Sequence, residues 1–357
     1  MSAPPLVVPL VLGIETSCDD TACAVLDGDG RVLASVVSSQ LAAHRPYGGV
    51  VPEIASREHL ANWPLVSREA LERAGLPLAD IDVVAATRGP GLVGALLVGL
   101  SLGKAIAFGL ERPFHAVHHL EGHLYSPFLD AAGGPAGPPP ARFTGLVLSG
   151  GHSSLFAVGE GEDGAVSTLA ETRDDAMGEV FDKVGKRLGL PYPQGPKVDE
   201  LAERGDASRH RFPTPSCGDS LDFSYSGLKS QALQAIERIE AVSGPVDLSR
   251  QEPSASILDL VAGFRAATVA QVLDRLERLH RERPLELLAV SGGVAANRLL
   301  RRELPAWAEA RGIPLRLVPM AFAGDNAAMI AHAALLRHRR GLADDPFAAE
   351  AESRIPM

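Results

Sequence analysis

The chain has 357 residues, 46% hydrophobic and 22% charged, with a mean hydropathy near zero, which places it among folded globular chains and not disordered ones. That length suits two domains of ordinary size. A formal net charge of −10 speaks against a nucleic-acid-binding surface spread over the whole molecule, and leaves room for a local basic patch.

No uninterrupted apolar run reaches the roughly 18 residues of a membrane-crossing helix, so no membrane partner is expected. Residues 6–12 form a short apolar run that contains Pro9 and follows no basic segment, so they read as a first strand after a loose tail and not as a signal peptide. Three cysteines in a chain this long fit a reducing compartment, the cytoplasm, and Cys18 and Cys23 form no CxxC pair.

Apolar stretches at residues 12–14, 21–26 and 31–37 predict three strands. Ser17-Cys18-Asp19-Asp20 reads as a turn after the first, and Asp27-Gly28-Asp29-Gly30 is a hairpin signal between the other two. Residues 53–74 carry helical spacing, with Pro64 as a break or kink. Residues 81–87 predict a buried strand, which runs into Arg88-Gly89-Pro90-Gly91 and an apolar helix over 92–110. Residues 131–140 are only Ala, Gly and Pro. They predict a linker or loop between an N-terminal lobe at 10–130, joined by a C-terminal helix at 326–340, and a second lobe at 141–325.

The second half repeats the plan of the first. Residues 146–170 again give strand, small-residue turn, strand, a turn at 159–164, and strand. Residues 287–290, followed by Ser291-Gly292-Gly293 and a helix, echo residues 81–87 with their Gly-rich turn and helix. Internal repetition outranks local readings of fold. Two such α/β lobes facing each other across a central cleft describe the actin, hexokinase and Hsp70 architecture, the actin-like ATPase (ASKHA) fold. A duplicated Rossmann-like domain is the plainer alternative, because strand–Gly turn–helix is common in α/β folds.

His119-Leu120-Glu121-Gly122-His123 places two histidines four apart, on one face of a helix, where they can share a metal. In the HExxH metalloprotease pattern the glutamate directly follows the first histidine. Glu121 lies two residues from each histidine, roughly 200° around a helix, and points away from such a metal. Asp325, after Ala323-Gly324 and before an apolar helix, is the candidate third ligand; its alternative reading is an ordinary helix N-cap. Ser149-Gly150-Gly151 and Ser291-Gly292-Gly293 each follow a strand, and glycine lets backbone N–H groups approach a phosphate. Each alone is also an ordinary tight turn. One in each half favours a nucleotide between the lobes, and neither is a Walker A loop. Asp182 stands one turn before Lys186 on a helical stretch, and Asp199, after the rigid turn Tyr192–Pro196, could accept ribose hydroxyls. Asn297 has donors and acceptors for a base or sugar. Lys183, Lys186, Arg187, Arg204, Arg209, His210 and Arg211 form a local basic cluster, readable as a rim that contacts phosphates or as a solvated mixed-charge face.

In chain order, GIETSCDD at 13–20, HLEGH at 119–123, VLSGGH at 147–152, GEVFDK at 178–183, DFSYSGLK at 222–229, GGVAAN at 292–297 and Asp325-Asn326 resemble the TsaD family, the tRNA N6-adenosine threonylcarbamoyltransferases once described as O-sialoglycoprotein endopeptidases. The resemblance covers nearly the whole chain apart from the first ten residues and the tail after about residue 340. It implies a metal-dependent acyltransferase that moves a threonylcarbamoyl group from threonylcarbamoyl-AMP to N6 of the adenosine 3′-adjacent to the anticodon in tRNAs reading ANN codons, releasing AMP and forming t6A. It implies one divalent ion, Fe2+ favoured and Zn2+ possible, on His119, His123 and Asp325. An adenine nucleotide (threonylcarbamoyl-AMP, ATP or AMP) would contact Val147, Leu148, Ser149, Gly150, Gly151, Asp182, Gly195, Asp199 and Asn297, with Asp19 and Asp20 as catalytic acids. Small partner proteins are implied too, an inactive homologue of TsaB type and an ATPase of TsaE type. Three positions depart from the family pattern: Gln194 and Ser291 stand where smaller residues are usual, and Asp20 where glutamate often occurs. A small-molecule kinase of the same fold fits the glycine turns and gives the two histidines no role. An idle binding subunit would lack the metal triad.

Overall fold

The computed structural model describes residues 9–159, 165–214 and 217–357. The expected turn at 159–164 lies outside the described residues beyond Gly159, as do residues 6–8 of the expected first strand. The chain divides into two compact units. The first takes the chain up to His44, Val50–Pro139 and Val318–Met357; the second takes Arg45–Gly49 and Pro140–Leu317. The Ala/Gly/Pro stretch at 131–139 thus goes with the first unit.

In chain order the first unit holds β1 (Val11–Glu15), β2 (Asp20–Leu26), β3 (Val32–Ser39), the single-turn α1 (Leu41–His44), α2 (Pro52–Ala74), β4 (Val83–Gly89), α3 (Val93–Leu110), β5 (Phe114–His118) and α4 (His119–Tyr125). The second unit holds β6 (Phe143–Leu148), β7 (Ser153–Val158), β8 (Val166–Ala170), α5 (Met177–Arg187), α6 (Gln194–Ala202), α7 (Ser226–Ser243), α8 (Ala255–Glu282), β9 (Leu288–Ser291), α9 (Arg298–Glu309) and β10 (Leu315–Leu317). The chain then returns to the first unit with α10 (Ala327–Arg339).

The sheet of the first unit has the order β3-β2-β1-β4-β5, that of the second β8-β7-β6-β9-β10. In both, the first three strands pair antiparallel and the last two join parallel. The meander is the local part: Asp27 Oδ1 accepts from the N–H groups of Asp29 and Arg31, and Gly30 takes φ +76°, so the turn between β2 and β3 closes on its own side chains. The parallel strands need crossover helices, and these cover the sheet. Gly103 of α3 approaches Ala86 and Phe114, and Gly13 of β1 lies under α10, where a Cβ would stand 2.4 Å from the carbonyl oxygen of Ala327. A side chain there would push α10 off the sheet.

Two expectations are narrowed. Helix α2 runs unbroken through Pro64, closed by Gly75 at φ 69°. Helices α3 and α8 are long and apolar enough to cross a membrane by length and composition, although no uninterrupted apolar run is. Each packs on elements of its own unit, α3 on β4 and α2, α8 on α6, α7 and α9.

Candidate metal centre and nucleotide-binding turns

Strand β5 passes directly into α4. His118 caps that helix, its Nδ1 accepting from the N–H of Leu120 at 3.1 Å, so the helix begins at His119 and places His119 and His123 one turn apart. Both face Asp325: His119 Nε2 lies 3.5 Å and His123 Nε2 3.2 Å from Asp325 Oδ1. One ligand atom from each residue lies within 4.8 Å of the others. Both rings are buried and Asp325 is half-buried. Two imidazoles and one carboxylate make an open N2O donor set suited to Fe or Zn. The capping alternative for Asp325 belongs to its neighbour. Asn326 caps α10, its Oδ1 accepting from Met329 N–H at 3.0 Å, which leaves the Asp325 carboxylate to the histidines. Glu121 points away to Arg337, 3.5 Å off, and the HExxH arrangement is absent.

The charges around this group are strongly linked. Burial opposes a charge on His119, but the carboxylates of Asp325 and Glu15 outweigh it and hold its pKa well above the ordinary value. Burial would raise Asp325, and the charge of His119 with hydrogen bonds from both rings overrides it and lowers the carboxyl. His123 is lowered, chiefly by burial. Metal binding at such a site displaces protons from the nitrogens it takes.

Glu15 is the residue that sequence reading passed over. It ends β1 fully buried, with its Oε2 accepting from Thr87 Oγ1 at 2.6 Å and His119 Nδ1 at 3.1 Å, and its Oε1 accepting from Ser17 N–H at 2.5 Å. The available signal was a charge inside the apolar strand Val-Leu-Gly-Ile-Glu.

Asp19 and Asp20 lie on the turn and first residue of β2. That turn is held from behind: His59 Nε2 donates to the carbonyl of Cys18 at 3.0 Å, while its Nδ1 meets Thr21 Oγ1 at 2.8 Å. The Asp19 carbonyl accepts from Gln40 N–H at 2.9 Å. Among the described residues Asp20 Oδ1 is buried without a hydrogen-bond partner. Burial pushes the Asp20 carboxyl up to about 7, a hydrogen bond from Ser39 opposes this, and the negative charges of Asp19, Asp325 and Glu15 add to it.

In the second unit the sequence-predicted binding residues come together in pairs. Asp182 of α5 accepts from Gly195 N–H at 2.7 Å. Asp199 of α6 receives the N–H of Arg298, next to Asn297, at 3.2 Å and Arg265 Nη1 at 3.1 Å. Asn297 uses its Oδ1 to cap α9 through Leu300 N–H at 3.0 Å. Val147 and Leu148 end β6 with fully buried side chains, which leaves them only backbone to offer a ligand. Ser149 Oγ accepts from His152 N–H at 3.1 Å. The glycines of the two turns divide. Gly292 has φ +89°, and a Cβ there would stand 2.3 Å from the Leu148 carbonyl oxygen, so the fold itself requires it. At Gly150, Gly151 and Gly293 a Cβ would meet nothing within 4 Å. Gly178, in the first turn of α5, packs against Ser149, Gly150 and Val294. The segment DFSYSGLK is anchored at its centre: Asp174 accepts from the N–H groups of Tyr225 and Ser226 and the hydroxyls of Ser224 and Ser226, and Lys229 pairs with Asp175.

Known proteins match this organisation. The family model for TsaD, tRNA N6-adenosine threonylcarbamoyltransferase, matches residues 31–332. The chain belongs to that family. A TsaD of Pelobacter propionicus, named tRNA N6-adenosine threonylcarbamoyltransferase, is 49% identical over 327 residues, 90% of each chain. One of Thermus thermophilus is 44% identical and covers 97% of this chain and 98% of its own. Among solved structures, HypF of T. kodakarensis superposes with a TM-score of 0.58 at 17% identity, over 94% of this chain and 48% of HypF. Component A of the (R)-2-hydroxyglutaryl-CoA dehydratase of Acidaminococcus fermentans gives 0.51 at 16% identity, over 93% and 98%. At such identities the likeness shows the fold alone, the duplicated α/β fold of actin-like ATPases. As a TsaD the chain is a transferase that forms threonylcarbamoyladenosine in tRNA, and metal dependence is the norm of its family.

Proposed function

We propose that this TsaD takes threonylcarbamoyl-AMP as donor and modifies the adenosine 3′-adjacent to the anticodon in tRNAs reading ANN codons. The adenosine N6 forms a bond to the carbamoyl carbon, the bond from that carbon to the phosphate oxygen breaks, and AMP leaves with the electron pair. The N6 proton goes to a base, and Asp20 is the candidate, because its carboxyl has an unpartnered buried oxygen and a pKa raised to about 7. Ser149, Gly150 and Gly151 would present N–H groups to the phosphate, with the backbone of Val147 and Leu148 behind them. Asp182, Gly195, Asp199 and Asn297 would fix the nucleoside, and Asp19 would support Asp20.

His119, His123 and Asp325 would hold one divalent ion, Fe2+ by family precedent or Zn2+ by the same donor chemistry, and it would supply Lewis acidity. The observation that carries this reading is the convergence of their three ligand atoms within 4.8 Å while Asn326 takes over the capping of α10. We assign the enzyme to the cytoplasm, with partners of TsaB and TsaE type. In support of a protein partner, α2 and α3 expose Leu60, Val93 and Leu97 at 61%, 52% and 51% on one apolar face.

The test is nucleoside mass spectrometry of tRNA from cells depleted of the protein and complemented with variants. Wild type should restore threonylcarbamoyladenosine; His119→Ala and Asp325→Ala should not, and both should purify folded but without metal. Unchanged metal content in either variant removes this site.

A further inference from the structure

Glu15 and Thr87 stand on neighbouring parallel strands, where Ile14 is in register with Ala86. The Thr87 hydroxyl and the Ser17 N–H therefore reach a carboxylate that has no solvent to turn into. A buried carboxylate is costly unless paired and fully hydrogen-bonded, so this one is held in a single orientation. Its remaining partner is His119 Nδ1, at 3.1 Å, with Ser17 Oγ also 3.3 Å from the same nitrogen. A carboxylate can only accept, so Nδ1 carries the proton and donates. The other nitrogen, Nε2, is the one turned to Asp325. His123 lacks such support: its Nδ1 is buried with no hydrogen-bond partner among the described residues. The two ring ligands are unequal, one oriented by a charge and the other by packing.

We propose that Glu15, anchored by Thr87 and Ser17, is a positioning residue for His119: it fixes the ring plane and keeps the Nδ1 proton in place, so that Nε2 is the nitrogen offered to a divalent cation, and it strengthens that cation's binding. This rests on the reading of His119, His123 and Asp325 as a metal centre. An outer carboxylate of this kind makes the imidazole a stronger ligand and removes the cost of orienting it on binding. Strand β1 is thereby part of the metal centre although it supplies no ligand.

The test is Co2+ affinity of the metal-free full chain, by competition with a chelator, together with the visible absorption of the bound Co2+. Glu15→Ala should weaken binding by about 10- to 100-fold, the usual cost of losing such a partner, and alter the Co2+ spectrum. Glu15→Gln, which keeps shape and one acceptor but no charge, should fall between wild type and Glu15→Ala. Thr87→Val should show a smaller loss in the same direction. If Glu15→Ala does not fold, Glu15→Gln and Thr87→Val decide. Folded Glu15 variants with wild-type affinity and spectrum overturn the proposal. His119→Ala separates the two levels. Should it lose Co2+ while the Glu15 variants keep it, only the positioning role fails; should it keep Co2+, the metal centre itself is misplaced.

Discussion

Gly150 has open space where a side chain would go, and its backbone lies outside the left-handed region. Gly150→Val should therefore fold, and should lower adenine-nucleotide affinity by at least about tenfold, ~1.4 kcal/mol, by blocking the backbone approach to phosphate. Calorimetry giving wild-type affinity would take this turn out of the site. Gly292→Ala is the contrast, expected to destabilise the fold because of its φ and the Leu148 carbonyl. A second residue-scale effect belongs to His332, buried in α10 with Nδ1 donating to the Tyr125 carbonyl at 3.2 Å. Burial lowers its pKa from 6.5 to about 4. The folded state then binds fewer protons than the unfolded chain between those values. Stability is full above about pH 6.5, falls as pH drops towards about 4, and is level below; one such group accounts for roughly 3 kcal/mol. His115, buried and lowered to about 4 in the same way, adds to the slope. Urea unfolding of His332→Gln between pH 7 and 4 should give a shallower curve than wild type, and a parallel curve would remove the assignment. The grouping of His119, His123 and Asp325 as candidate ligands was legible from motif, spacing and family resemblance, and the three side chains do lie together. Glu15 was not, because its bond to His119 joins residues 104 apart and no local pattern encodes such a pair.

Between elements, Arg337 is one of the side chains that tie α10 to its surroundings. Its Nη1 lies 3.5 Å from Glu121 on α4, and its Nη2 3.0 Å from Asp344, whose carboxylate also accepts from the N–H of Ala116 on β5 at 2.9 Å. Helix α4 carries the two histidines and Asp325 precedes α10, so this linkage joins the two elements that bring the candidate ligands together. It also gives a role to Glu121, which sequence spacing had only turned away from the candidate metal site. Burial raises the Glu121 carboxyl against the opposing charge of Arg337. Arg337→Met should destabilise the protein by about 1–3 kcal/mol, because it strands a buried acceptor, and adding Glu121→Gln should recover part of that loss. Strict additivity of the two changes in urea denaturation would show that the pair is not coupled. At this scale the meanders and their repetition were readable, since turn chemistry and apolar alternation are local. The unbroken passage of α2 through Pro64 was not, since the helix is held by packing against β2, β3 and α3. The shift of the α10 cap from Asp325 to Asn326 was not either, as both residue types cap helices well.

For the molecule as a whole, the question is how a chain of net charge −10 holds a polyanion. The basic cluster read from the sequence is largely neutralised inside the second unit. Lys183 pairs with Asp175 and Glu179, Arg187 with Glu240, Arg204 with Glu252 at 3.8 Å, and Arg209 with Asp206 and Asp259 at 3.5 and 3.9 Å. Among the described residues Lys186 and Arg211 have no carboxylate within 4.0 Å. Cations already committed to carboxylates lose one partner as they gain a phosphate, so they add little net attraction; uncommitted ones add the full contact and release its counterions. If this surface touches tRNA phosphates, the contribution is concentrated in Lys186 and Arg211. The double change Lys186→Ala, Arg211→Ala should weaken tRNA binding, lower the slope of log affinity against log salt by roughly one to two units, and leave donor-nucleotide affinity unchanged. Arg209→Ala should move the slope much less. The measurement is tRNA affinity at several salt concentrations with the partner proteins present. An unchanged slope and affinity in the double variant would mean that this is a solvated face, and that tRNA is held by another surface or by the partners.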